Sequence, residues 1–118
     1  MLPDGYRLKR CADFDRVYRR GDCFAAAACI LYRRKNGGRG VRIGFSVSRK
    51  FGKAVQRNAI KRRFRHAAAA LLDRFRPGYD YVFVLRRAAA AMEFRQIQAQ
   101  MERLLKESDP ESRRENLS

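Results

Sequence analysis

The passage from Val55 to Leu85 limits what this chain can fold into more than any other. Ile60, Phe64, Ala67, Leu71 and Phe75 recur at helical spacing, and at about 100° per residue they share one arc. Pro77-Gly78 then ends the helix, and Tyr79 to Leu85 follows, aromatic and β-branched as a buried strand requires. A one-sided helix that feeds a buried strand after two turn residues needs a sheet to lie on, which predicts an α+β layer.

The remaining segments supply the rest of that layer. Cys11 to Arg20 carries Phe14, Val17 and Tyr18 at helical spacing before a stop at Gly21, a short helix with an exposed aromatic edge. Residues 23–34 read as one partly alternating strand, with Phe24, Ala26, Ala28, Ile30 and Tyr32 on one side. Asn36-Gly37-Gly38 is a hairpin signal and Val41 to Val47 alternates again, so two antiparallel strands are expected there. A last helix, from about Ala89 to Lys106, would turn Phe94, Ile97, Met101 and Leu104 to the core. The order is helix–strand–strand–helix–strand–helix. At 118 residues the chain suits one domain, placed at residues 1–107, with a polar tail at 108–118 expected to be disordered.

Several function classes drop out. The longest apolar run, Phe24 to Tyr32, is far short of the ~20 residues a membrane span needs. The first residues show no basic region followed by an apolar core, so a cytoplasmic protein with no membrane partner is expected. Cys11, Cys23 and Cys29 fit no usual zinc spacing with the one histidine, His66, and read as buried reduced thiols. Asp13 and Asp15 are a close acidic pair, but they point to different sides of a helix. Metal-dependent nucleases gather several carboxylates around their ions, so this pattern describes a binder and names no catalytic residue.

Charge says what is bound. The formal net charge is +16, and no Asp or Glu occurs between Asp22 and Asp73, a stretch with 13 Lys and Arg. Eight of these fall between Arg49 and Arg65: Arg49, Lys50, Lys53, Arg57, Lys61, Arg62, Arg63 and Arg65. Solvated helix faces usually interleave acids at i+4, and here there are none. Such a block repels itself unless a polyanion neutralises it, and nucleic acid does so with counterion release. Phe14, Tyr18 and Tyr32 would add stacking platforms for single-stranded RNA or DNA, although by pattern alone they serve equally well as core residues.

The segment Ser46 to Arg65, SVSRKFGKAVQRNAIKRRFR, closely resembles the signature of the bacterial ribonuclease P protein subunit. Leu8-Lys9, Asp13-Phe14, Val17-Tyr18 and Gly21 support it early in the chain, as do Asp80-Tyr81-Val82 and Arg86 later, so the resemblance covers residues 6–107. It implies a small two-layer α/β sandwich with a mostly antiparallel sheet and a left-handed β-α-β crossover, against the usual hand. It also implies a protein that serves a catalytic RNA in removing the 5′ leader of precursor tRNA, in a magnesium-dependent holoenzyme without an organic cofactor or an obligate protein partner. Carried over by position, Arg49, Lys50, Lys53, Arg57, Asn58, Lys61, Arg62 and Arg65 would contact the RNA subunit, and Asn58 would lie near a magnesium ion. Phe14, Tyr18, Ile30 and Tyr32 match the cleft for the single-stranded leader. Ala59 stands where the family often has arginine, and His66 where an acid is common. A small basic ribosomal-type or RNA-chaperone protein is the alternative from another class.

Overall fold

A computed structural model describes residues 4–38 and 40–109. The elements are α1 (Cys11–Arg20), β1 (Asp22–Ala25), β2 (Cys29–Lys35), β3 (Val41–Ser46), α2 (Ala54–Ala70), β4 (Tyr79–Leu85) and α3 (Phe94–Ser108), with short 3-10 turns between them. One sheet runs in the order β1-β2-β4-β3. β1 and β4 flank β2 in antiparallel pairing, whereas β3 runs parallel to β4. The α+β class and the mostly antiparallel sheet are therefore as expected. The β3-α2-β4 unit is present too, with β3 and β4 paired in parallel; a left-handed crossover there is an implication of the family resemblance only.

Side chains alternate across the sheet, so its two faces bury different clusters. Leu31, Ile43, Phe45, Tyr81 and Phe83 pack on one face against Ile60, Phe64 and Ala67 of α2 and Ile97, Met101 and Leu104 of α3. On the other face Val82 meets Leu8 and Val17, with Phe14, Tyr18, Tyr32 and Val84 packed around them only in part. The main core is thus under α2 and α3, and α1 leaves an aromatic ledge half open to solvent.

Several boundaries depart from the sequence expectation. The single strand at 23–34 is two strands, because Ala26 to Ala28 turns the chain back. The Ala26 N–H donates to the Cys29 carbonyl at 2.9 Å, and Gln100 of α3 accepts from the Ala28 N–H at 2.7 Å. The hairpin expected across Asn36-Gly37-Gly38 does not pair its strands, because β4 lies between β2 and β3. Asn36 N–H donates to the Gly78 carbonyl, and Gly78 N–H donates to the Gly40 carbonyl, both at 2.8 Å. The loop thus spans the start of β4, with Gly37, Gly38 and Gly40 at φ of 75°, 85° and 78°. α2 ends at Ala70 and a 3-10 turn carries Leu72 to Arg74, yet Leu71 and Phe75 still reach the core.

Phe94, expected in the core, is exposed because it is the first residue of α3, where the buried arc begins only at Ile97. α3 runs two residues past Lys106. Its end is held by the buried Arg33 of β2, whose guanidinium donates to the Ser108 carbonyl and lies 4.5 Å over the Tyr79 ring. From Pro110 on, the expected tail lies outside the described residues. Cys29 is buried, but Cys11 and Cys23 are exposed free thiols on α1 and the edge strand β1, so burial holds for one cysteine of three.

Candidate nucleic-acid interface

The basic residues occupy one continuous flank. Ser48 caps the turn Arg49–Phe51, accepting from the Lys50 N–H at 3.1 Å, which sets Arg49 and Lys50 in solvent just ahead of α2. The Lys53 N–H donates to Gln56 Oε1 at 2.9 Å, fixing the entry to the helix. A lysine side chain has no acceptor to offer the first-turn N–H groups, so the positive end of the helix dipole stays uncapped by it. Ile60, Phe64, Ala67 and Ala68 face the sheet, so the helical period turns Asn58 and Arg62 outward and leaves Arg57, Lys61 and Arg65 half-buried at the margin.

Among the described residues, none of the expected RNA-binding cations lies within ion-pair distance of an acid. Burial, and then the neighbouring cations, disfavour the charged form of two of them. Burial lowers the pKa of Lys61, with Arg65 and Arg57 adding to the effect, and burial together with Arg7 and Arg62 does the same to Arg65. An anion placed here would favour the charged form of both side chains.

The second surface is the aromatic ledge. Phe14 and Tyr18 come from successive turns of α1, with ring centroids 6.4 Å apart, and Tyr18 meets Tyr32 of β2 edge-on at 5.2 Å. Tyr32 pairs with Val82, and Ile30 with Val84, so Ile30 shares the face of the sheet that carries Tyr32. All four expected leader residues are half-buried, with one side packed and the other accessible. Gly44 of β3 makes the ledge possible, since a Cβ there would sit 2.5 Å from the tip of the Phe14 ring.

The two surfaces meet around the β3 edge. Arg7 bridges to Ile43, and the Leu8 N–H donates to the Ile43 carbonyl at 2.8 Å, which lays the N-terminal arm along β3. A cleft of about 310 Å³ results, lined by Arg7, Lys9, Phe14, Gly44, Lys61 and Arg65. Neither Arg7 nor Lys9 was expected from sequence as a site residue, although Lys9 belongs to the Leu8-Lys9 match. No local pattern places the arm there, because its position comes from a non-local bridge. Val82 and Val84 could have been found from the alternation in β4.

The acidic pair does not converge. Asp13 is buried against Arg42, whose guanidinium lies 3.6 Å from it and donates to Asp80 at 2.7 and 2.8 Å, while Asp15 is exposed. Asp80 also accepts from Asn36 at 2.9 Å, so this network ties α1 to β3, β4 and the glycine loop. Among the described residues, no three His, Cys, Asp or Glu side chains gather as metal ligands. Asn58 is exposed among cations, and one amide oxygen with no carboxylate beside it does not make a protein-built magnesium site.

The geometry sets an acid-free cationic flank beside a half-open aromatic ledge, and the relatives of the chain show its family. A family model described as Ribonuclease P matches residues 2–109. The chain belongs to the ribonuclease P protein family. It is 40% identical over 102 residues to the ribonuclease P protein component of Listeria welshimeri, covering 86% of each chain. The ribonuclease P protein of Thermotoga maritima shares its fold with a TM-score of 0.80 at 29% identity, over 87% of this chain and 97% of that one. The Staphylococcus aureus ribonuclease P protein gives 0.77 at 34% identity, over 88% and 95%. Membership makes the chain the protein component of a ribonucleoprotein endoribonuclease of tRNA processing, with an RNA partner in the holoenzyme. Among the described residues no helix is long and apolar enough to cross a membrane.

Proposed function

We propose that this ribonuclease P protein binds the catalytic RNA through α2 and the turn before it, and the 5′ leader of precursor tRNA across the aromatic ledge. The observation that supports this division most is the segregation of chemistry by face. An acid-free row of cations follows α2 on one flank, and half-open rings occupy the far side of the sheet, with the cleft at Arg7, Lys61 and Arg65 between them. Duplex RNA offers phosphates, which Arg49, Lys50, Lys53, Arg57, Lys61, Arg62 and Arg65 are placed to neutralise, with Asn58 among them as a neutral donor. A single strand offers bare bases, which Phe14, Tyr18 and Tyr32 can stack and Ile30 can pack against.

In this reading the protein performs no bond-making step. It raises affinity for leader-bearing substrate and replaces part of the cation atmosphere that association of two RNAs needs, and the magnesium of the holoenzyme belongs to the RNA. The test is single-turnover cleavage of 5′-labelled precursor tRNA by protein, RNA subunit and both together, across magnesium concentrations. The protein alone should leave the substrate intact, and added to the RNA it should restore cleavage at low magnesium and matter much less at high magnesium. Correct cleavage by RNA-free protein, abolished by Asp13→Ala or Asp15→Ala, would overturn the reading and make the chain itself a nuclease.

A further inference from the structure

A second cationic groove lies at the opposite end of the ledge from α2. It has a volume of about 400 Å³ and is lined by Ala12, Asp15, Arg16, Arg19 and Arg20 of α1 and Arg34 of β2. Four guanidiniums thus face one carboxylate. Arg16 is 3.9 Å from Asp13, a carboxylate that Arg42 already engages. Among the described residues, Arg19, Arg20 and Arg34 have no acid within ion-pair distance. Cations in the last turn of a helix complement its dipole, which accounts for Arg19 and Arg20. It does not account for Arg34, which a strand brings in, or for Arg16 standing at i+3 and i+4 from two like charges.

The groove is continuous with the ledge. Arg34 is two residues beyond Tyr32 on the same face of β2, about 7 Å along the strand. Arg19 directly follows Tyr18 on α1. Phe14, at the other end of the ring series, already lines the cleft with Lys61 and Arg65. Cations, rings and cations therefore follow one another in a single direction, and a guanidinium fork suits phosphate oxygens at either end.

We propose that the groove between α1 and Arg34 holds the phosphate backbone of leader nucleotides farther from the cleavage point than those seated on the rings. This rests on the reading of the ledge given above, and it adds a length-dependent element to substrate choice. A leader too short to pass Tyr18 and Tyr32 gains nothing from the four arginines. A long one gains affinity irrespective of its sequence, since phosphates carry no base identity.

The experiment measures binding of precursor tRNAs to the reconstituted protein–RNA holoenzyme, with leaders of roughly 4 and roughly 16 nucleotides, the range of single-strand site sizes. In the doubly substituted Arg19→Gln/Arg34→Gln protein, affinity for the long leader should fall about tenfold. Its log–log salt slope should fall by about 1.4, two single-strand phosphates at about 0.7 each. Affinity for the short leader should stay within about twofold. Asp15→Asn, which removes the groove's one carboxylate, should strengthen long-leader binding alone, and this opposite sign guards against a trivial folding defect. Equal losses for both leaders would assign the groove to the RNA subunit, and no loss for either would leave it a solvated surface; both overturn the proposal. Phe14→Ala, measured alongside, should weaken both leaders. If it weakens neither, the reading of the ledge itself fails, which is a separate outcome.

Discussion

Two glycines show how single atoms shape the ledge. At Gly21 a Cβ would stand 2.4 Å from the Val17 carbonyl oxygen and 2.8 Å from that of Arg33, both backbone atoms that cannot swing away. Gly21→Ala should therefore cost roughly 1–3 kcal/mol, as overpacking does, and lower Tm by several degrees. At Gly44 the added carbon meets the far end of the Phe14 ring, which can rotate out. Gly44→Ala should then change Tm little and abolish much of the preference for precursor over mature tRNA. Calorimetry and binding on the two variants check this pair, and a cooperative unfolding loss at Gly44 equal to that at Gly21 would contradict it. Cys29 gives a third residue-level expectation. Burial pushes its thiol up to about 12 from 9.0, so ionisation favours the unfolded chain. Stability from this group is complete below pH ~9 and declines as pH rises towards 12. Tyr81, also raised by burial, acts in the same sense from its own higher starting value. In the native protein Cys11 and Cys23 should react with a thiol reagent at once, and Cys29 only at the rate of opening.

Among the elements, α2 has both its chemistry and its packing readable in the chain. Its core arc follows from spacing, and its charge follows from the acid-free run. Replacing Arg62 or Arg65 by Ala should lower the log–log salt slope of binding to the RNA subunit by about one unit each. An unchanged slope in both variants would show that this flank is not the RNA face. α1 and β4 are equally legible, with Cys11–Arg20 and Tyr79–Leu85 recovered from periodicity and turn residues. Other features were hidden because distant residues determine them. The turn at Ala26–Ala28 has no glycine or proline, and it relies on Gln100 and on Arg86, which donates to the Ala26 carbonyl at 3.2 Å. The glycine loop at Asn36 looks like a hairpin, and only β4, more than 40 residues later, decides that it is a bridge over another strand. The ledge was half legible. Spacing named its rings without telling core from surface, and the structure shows each ring partly buried.

For the whole molecule, the sheet separates the two proposed RNA-binding surfaces. α2 and α3 bury the main core on one face, so the cations of α2 stand on a rigid support. α1 covers the other face only in part, so rings that would otherwise finish a core remain accessible. The N-terminal arm joins the two at the β3 edge. The most direct measurement is a comparison of Arg62→Ala/Arg65→Ala with Phe14→Ala/Tyr32→Ala. For each protein, affinity is measured for the RNA subunit alone and then, as holoenzyme, for precursor and mature tRNA. The α2 pair should weaken RNA-subunit binding and reduce its salt dependence, while precursor preference survives at saturating protein. The ring pair should leave RNA-subunit binding intact and lose precursor affinity by roughly 1–3 kcal/mol per stacked base, with mature tRNA unaffected. If both pairs weaken both steps alike with Tm unchanged, the two faces are not separate binding surfaces.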